Sequence, residues 1–223
     1  MLMLFPDPTA TSIPNGIIGS PGYPYADRAV PSSLPLSYSF WPGRLHPCGN
    51  LSLGPIMSVA DAESFKSGMR HLAAHVCLIT TVGPDGERRG LTATAVCSVS
   101  ADPPTLLCCV NRQIAPFAAI RESGIFAVNV LGVEDRELAE RFAGVIQGEE
   151  RFQTGQWISL TTGAPVLESA LATFDCRLTR LEEVATHGIL FGEIQAVRAR
   201  DSIAEALLYA HGSFGGFAPL SDL

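Results

Sequence analysis

The sequence predicts a mainly β fold, an antiparallel barrel decorated with a few short helices. Three observations carry that prediction. About six apolar runs of strand length are bounded by turn residues, in a chain with 21 Gly and 16 Pro. Only two or three short stretches show helical spacing. The regular β-α-β alternation of a doubly wound sheet is absent.

The elements follow in order. Asp61 to Val76 has helical spacing, with Phe65, Met69, Leu72 and Ala73 on one face and Asp61 or Ser58 as its cap. Val76 to Val82 reads as a strand, and Gly83-Pro84-Asp85-Gly86 as a hairpin turn. Gly90 to Ala101 alternates with period two as one long strand. Thr92, Thr94, Val96, Ser98 and Ser100 fall on one face, and Leu91, Ala93, Ala95, Cys97 and Val99 on the other. Pro103-Pro104 ends it, and Thr105 to Val110 is the next strand. Pro116 to Glu122 is a short helix with proline in its first turn. Ile125 to Leu131 is a strand, and Glu134 to Phe142 a helix with Leu138, Ala139 and Phe142 inward. Ala170 to Leu181 and Gly188 to Arg198 are two long strands joined by a loop, Glu182 to His187. Ala204 to Tyr209 is a last apolar piece.

Residues 1–56 differ from the rest. They hold ten of the sixteen prolines, few charges and no apolar period. Two readings fit: a disordered or loosely packed extension, or an over-long start with the domain proper at 57–223.

Composition narrows the function. A net charge of −7 argues against a nucleic-acid or anionic-membrane surface. No run reaches the roughly 18 apolar residues of a membrane span. The N-terminus lacks the basic lead of a secretory signal. Six cysteines, Cys48, Cys77, Cys97, Cys108, Cys109 and Cys176, form no C-x-x-C pair and suit reduced thiols in a cytoplasmic protein. His71 and His75 have metal-pair spacing, but the Glu of H-E-x-x-H and a third ligand are missing, so no metal site is predicted. G-x-S-x-G, the P-loop and G-x-G-x-x-G are also absent.

The informative segment is Gly90-Leu-Thr-Ala-Thr-Ala-Val-Cys-Ser-Val-Ser-Ala-Asp-Pro-Pro104. A row of small hydroxyl residues can hydrogen-bond a polar ring edge and let a flat ligand approach the backbone. The bland alternative is a strand whose Thr and Ser face water. Further pieces follow: Cys109-Val-Asn111, Phe126-Ala-Val-Asn-Val-Leu131, Leu138-Ala-Glu-Arg-Phe-Ala-Gly144 and Glu150-Arg-Phe152. Then come Trp157, Gly163-Ala-Pro-Val-Leu167, Ala185-Thr-His-Gly188, Gly192-Glu193 and Leu208-Tyr209. From about Phe65 to Gly216 this ordered set resembles the flavin reductase family, whose fold is the FMN-binding split barrel, an antiparallel Greek-key β-barrel. It is especially similar to the reductase component of 4-hydroxyphenylacetate 3-monooxygenase.

The resemblance implies hydride transfer from NADH or NADPH to FMN or FAD, with the flavin supplying the electronic chemistry. It implies that Thr92, Ala93, Thr94, Ser98, Val99 and Ser100 touch the ring and ribityl chain. It places Asn111, Arg112 and Gln113 at the flavin phosphate. Family members often carry Ser and Thr just after that Asn, where this chain has Ile114 and Pro116, so Arg112 becomes the main phosphate candidate. His187 would lie near flavin and nicotinamide as the catalytic residue, with Phe142 and Tyr209 flanking, although a core position is the blander reading of Phe142. The implied partners are a second copy of the chain and a separate flavin-dependent monooxygenase fed by diffusion. Two other readings stand beside this one: a corrinoid reductase on the same fold, and a non-catalytic FMN-binding protein.

Overall fold

The computed structural model describes residues 61–146, 148–201 and 204–217. The expectation for residues 1–56 lies outside them.

Helix α1 (Ala62–Met69) opens on a capping box, in which the Asp61 carboxylate accepts from Ser64 N–H at 2.7 Å. It stops at Met69, not Val76, and buries no residue. Phe65 (59 % exposed) and Leu72 (59 %) face outward, so the apolar face read from the sequence has no described core to meet. The short strand β1 (Ala74–His75) follows.

The main sheet takes β2 (Cys77–Val82), β3 (Arg88–Ala93), β4 (Val96–Ala101), β5 (Pro104–Asn111) and β6 (Ile125–Val130). It also takes β9 (Ala172–Val184) and β10 (His187–Ala199). Its order is β3-β2-β6-β9-β10-β5-β4, with every pair antiparallel.

The predicted long strand Gly90 to Ala101 is in fact two strands, β3 and β4, at opposite edges of this order. A flat seven-stranded sheet would hold its edges about 29 Å apart, at roughly 4.8 Å per strand. Three Cα steps from Ala93 to Val96 span at most about 11 Å. The sheet must therefore curl until its edges approach, and Thr94-Ala95 is the crossing that joins them. The crossing also inverts the side-chain phase. Leu91 and Ala93 point into the barrel core before it, and Val96 packs on the same core after it.

Cys77, Ile79, Leu106, Cys108, Val110, Phe126, Val128 and Leu190 fill the barrel. Helix α2 (Ala115–Ser123) adds Phe117 and Ile120 to that core. The five described cysteines are all free thiols. Burial pushes those of Cys77 and Cys176 up to about 12.

A second core lies outside the wall. Leu78 of β2 meets Leu138, Ala139, Phe142 and Phe152 there. The helix predicted at Glu134 to Phe142 is three pieces: a 3-10 turn (Val133–Asp135), α3 (Arg136–Glu140) and a π-turn (Arg141–Val145). Its inward residues are as expected, with Leu138, Ala139 and Phe142 buried. Among the elements that escaped the sequence reading is the ribbon β7 (Trp157–Ser159) and β8 (Pro165–Leu167). Buried Asn129 anchors it by accepting from Leu167 N–H at 2.8 Å. The strands β11 (Leu207–Ala210) and β12 (Ser213–Gly216) complete a small sheet with β1.

Candidate functional site

β5 and β10 run antiparallel, and their ladder ends with Asn111 directly opposite His187. The crossing lies beside that end, since Cys109 N–H donates to Ala95 O at 3.0 Å. Thr94, Ala95, Asn111 and His187 are therefore gathered by backbone pairing, from segments far apart in sequence. Ala95 is exposed, and Thr94 and His187 are half-buried.

β9 and β10 extend beyond the predicted strand ends, and the expected six-residue loop shrinks to Ala185-Thr186. His187 is thus the first residue of β10, not a loop residue. Its Nδ1 lies 2.8 Å from Thr186 Oγ1. Burial lowers the pKa of the ring from 6.5, which favours the neutral form. Gly188 comes next because a Cβ there would meet Phe117 Cε2 at 2.3 Å. That close approach seats α2 against the β10 end of the site.

Asn111, Arg112 and Gln113 form the turn into α2. Asn111 Oδ1 accepts from Gln113 N–H at 2.9 Å, an Asx turn. Helix α2 starts at Ile114 without a side-chain cap. Its dipole and the Ala115 N–H form a positive end beside this turn, while Pro116 has no N–H and Phe117 N–H donates to Ile114 O at 3.1 Å. Arg112 is already engaged. Its guanidinium pairs with Glu183 and donates to Ala185 O at 3.1 Å, and its N–H donates to Thr186 O at 3.0 Å.

The remaining predicted residues separate. Thr92 points outward, away from the crossing, and its hydroxyl donates to Ala139 O at 2.6 Å beneath α3. Ala93 lies in the barrel core. In β4, Ser98 pairs Leu106 and Ser100 pairs Thr105, with Val99 bulged between them. The four hydroxyls therefore form no continuous row. Ser100 bonds locally to the Asp102 backbone. Val99 is half exposed at 50 %, and Ser98 is exposed. Phe142 is 1 % exposed, packed edge-on to Phe152 at 5.0 Å, so the core reading holds for it. Tyr209 sits on β11, paired with Ala74 and packed on Phe214 at 5.2 Å, in the small sheet. His71 and His75 do not share a helix. His71 meets the His211 ring at 4.8 Å after α1 ends, and His75 is in β1.

The residues gathered at the crossing suit a flat ligand with a polar rim. Small side chains expose the backbone at Thr94-Ala95, and the Thr94 hydroxyl has no bonded partner among the described residues. His187 supplies a neutral imidazole and α2 a positive end. The phosphate end is poorer in free charge, because Glu183 holds Arg112.

Glu183, Ala185, Thr186 and Gly188 are the residues that sequence reasoning left without a role. The short motif Ala185-Thr-His-Gly188 was the signal that marks three of them.

The curled antiparallel sheet, with its edges β3 and β4 joined by the open crossing rather than by hydrogen bonds, has the form of a split barrel. Residues 69–218 match the model of the flavin reductase like domain, and the chain belongs to that family. It is 47% identical over 155 residues to the FMN reductase (NADH) RutF of Pseudomonas syringae pv. syringae, covering 70% of this chain and 85% of that one. Among solved structures it is similar to the NADH:FAD oxidoreductase SgcE6 of Streptomyces globisporus in complex with NAD and FAD fragments. That likeness has 30% identity and a TM-score of 0.67, and covers 73% of this chain and 96% of that one. It is also similar to BorF, the flavin reductase component of a bacterial two-component tryptophan halogenase. There the identity is 30% and the TM-score 0.65, with 72% and 100% covered.

Proposed function

We propose that this chain is an NADH-dependent FMN reductase that delivers reduced flavin to a separate flavin-dependent monooxygenase. The observation that carries this reading is the meeting of His187 and Asn111 beside the open crossing at Thr94-Ala95. The NADH-linked FMN reductase activity of the related RutF proteins supports NADH over NADPH and FMN over FAD. The two-component system of BorF supports a separate acceptor enzyme.

A bound flavin supplies the hydride acceptor, and the dihydronicotinamide is the donor. The chain's own contribution is binding, orientation and exclusion of water. Ala95 and Thr94 present backbone and a small hydroxyl to a ring edge. His187 presents a neutral ring whose Nδ1 is oriented by the Thr186 hydroxyl. The first turn of α2 offers a phosphate its dipole and the Ala115 N–H, since Pro116 has no N–H and Phe117 N–H donates to Ile114 O at 3.1 Å.

The assembly in this reading is a homodimer. The outer face of the sheet carries half-buried Leu107, Cys109, Ile189 and Phe191 in one patch, and β4 leaves a free edge with Val99 exposed. A second copy would cover both. The location in this reading is the cytoplasm, in keeping with free thiols at the described cysteines. Among the described residues, no helix is long and apolar enough to cross a membrane.

The test is NADH consumption at about 340 nm, the absorbance of the dihydronicotinamide, with purified protein and added FMN, FAD or riboflavin. Fast oxidation that requires flavin supports the reading, and a folded protein that binds FMN without oxidising NADH overturns it.

A further inference from the structure

One arginine ties down the tip of the β9–β10 hairpin. Arg112 pairs with Glu183, donates through its side chain to Ala185 O at 3.1 Å, and donates through its backbone to Thr186 O at 3.0 Å. Arg121 of α2 stands 4.0 Å from the other Glu183 oxygen. The tip needs such support. Ala185 has φ 48, a left-handed conformation that disfavours residues with a Cβ. Thr186, held at its carbonyl by Arg112, places its hydroxyl 2.8 Å from His187 Nδ1. The contacts thus run from Glu183 through Arg112 and Thr186 to the imidazole.

We propose that Glu183, acting through Arg112, is a positioning residue for His187. Arg112 in this arrangement serves the hairpin, and the flavin phosphate is left to the α2 turn. The proposal rests on the reductase reading, because His187 needs a reaction to orient.

Two measurements test it. The first is amide exchange of Arg112, whose N–H donates to Thr186 O. Glu183→Gln should raise that exchange about tenfold, whether or not the protein turns over, while core amides are unchanged. Unchanged exchange overturns the latch. The second is steady-state NADH oxidation with FMN and with riboflavin, which has the same ring and no phosphate. Glu183→Gln should lower kcat about tenfold with both flavins, and should add nothing in a His187→Ala background. The swapped pair Arg112→Glu with Glu183→Arg should recover part of the loss. Additive effects of Glu183→Gln and His187→Ala overturn the proposal. So does an Arg112→Ala defect confined to the KM of FMN, which would make Arg112 a phosphate ligand. If the unaltered protein oxidises no NADH, the reductase reading fails and amide exchange alone decides the latch.

Discussion

His187 and Asn111 face each other as the last pair of the β5–β10 ladder, beside the crossing where Cys109 N–H meets Ala95 O. Their closeness is a property of register. A shift of one residue in that ladder would turn the imidazole to the other face. His187→Ala should therefore reduce flavin-dependent NADH oxidation by roughly 10- to 100-fold with the fold intact, since orientation carries the catalysis. Steady-state rates together with far-UV circular dichroism check this.

Gly188 has a steric task distinct from that of its neighbour. A Cβ there would lie 2.3 Å from Phe117 Cε2 and 3.0 Å from Phe117 Cζ. Gly188→Ala should cost about 1–3 kcal/mol through overpacking, and should displace the start of α2. Denaturant unfolding measures the first effect, and a raised KM for FMN relative to riboflavin reports the second.

Thr92 provides a contrast with the residues at the crossing. Its hydroxyl is committed to Ala139 O at 2.6 Å. Thr92→Val keeps the shape and strands a buried carbonyl, so it should cost about 1–3 kcal/mol. Its effect on flavin KM should be negligible. A large KM change with unaltered stability would return Thr92 to the ligand site.

Phe142 fills the outer core between Phe152 and Trp157. Phe142→Ala should destabilise by about 3–5 kcal/mol. The milder Phe142→Leu should keep the protein folded with its flavin affinity unchanged. Thermal melts and a flavin fluorescence titration give the two readouts.

Stability should also depend on pH. Burial lowers the pKa of both His75 and His187 from 6.5. The unfolded chain then binds protons that the folded chain refuses. This contribution is full above about pH 6.5 and is lost as pH falls through the lowered folded values. The melting temperature should drop as pH falls from about 7.5 to 5.5, above the ordinary carboxylate range. His75→Asn should flatten part of that slope, and an unchanged slope would remove His75 as its source.

Much of the local structure was legible in the sequence. Short apolar runs bounded by turn residues marked β2, β5 and β6, proline marked the start of α2, and the spacing of Leu138, Ala139 and Phe142 gave their shared buried face. The ordered motifs gave the family. The ribbon β7–β8 was hidden, because strands of three residues are too short to show a period. The helical stripe of α1 was visible, yet its burial depended on a neighbour that local spacing cannot supply.

The sequence by itself determined which segments extend, which turn, and which residue types can meet a flavin. Tertiary structure alone decided that Gly90 to Ala101 divides at Thr94-Ala95, because only barrel closure brings β3 and β4 to the same seam. That division sent Thr92 beneath α3 and left Thr94 at the crossing, though period two had put them on one face. It was also tertiary pairing that gave Arg112 to Glu183, across a gap in sequence that no local pattern spans. Local periodicity records how a residue sits on its own strand, whereas the neighbours that bury or engage it come from register between distant strands.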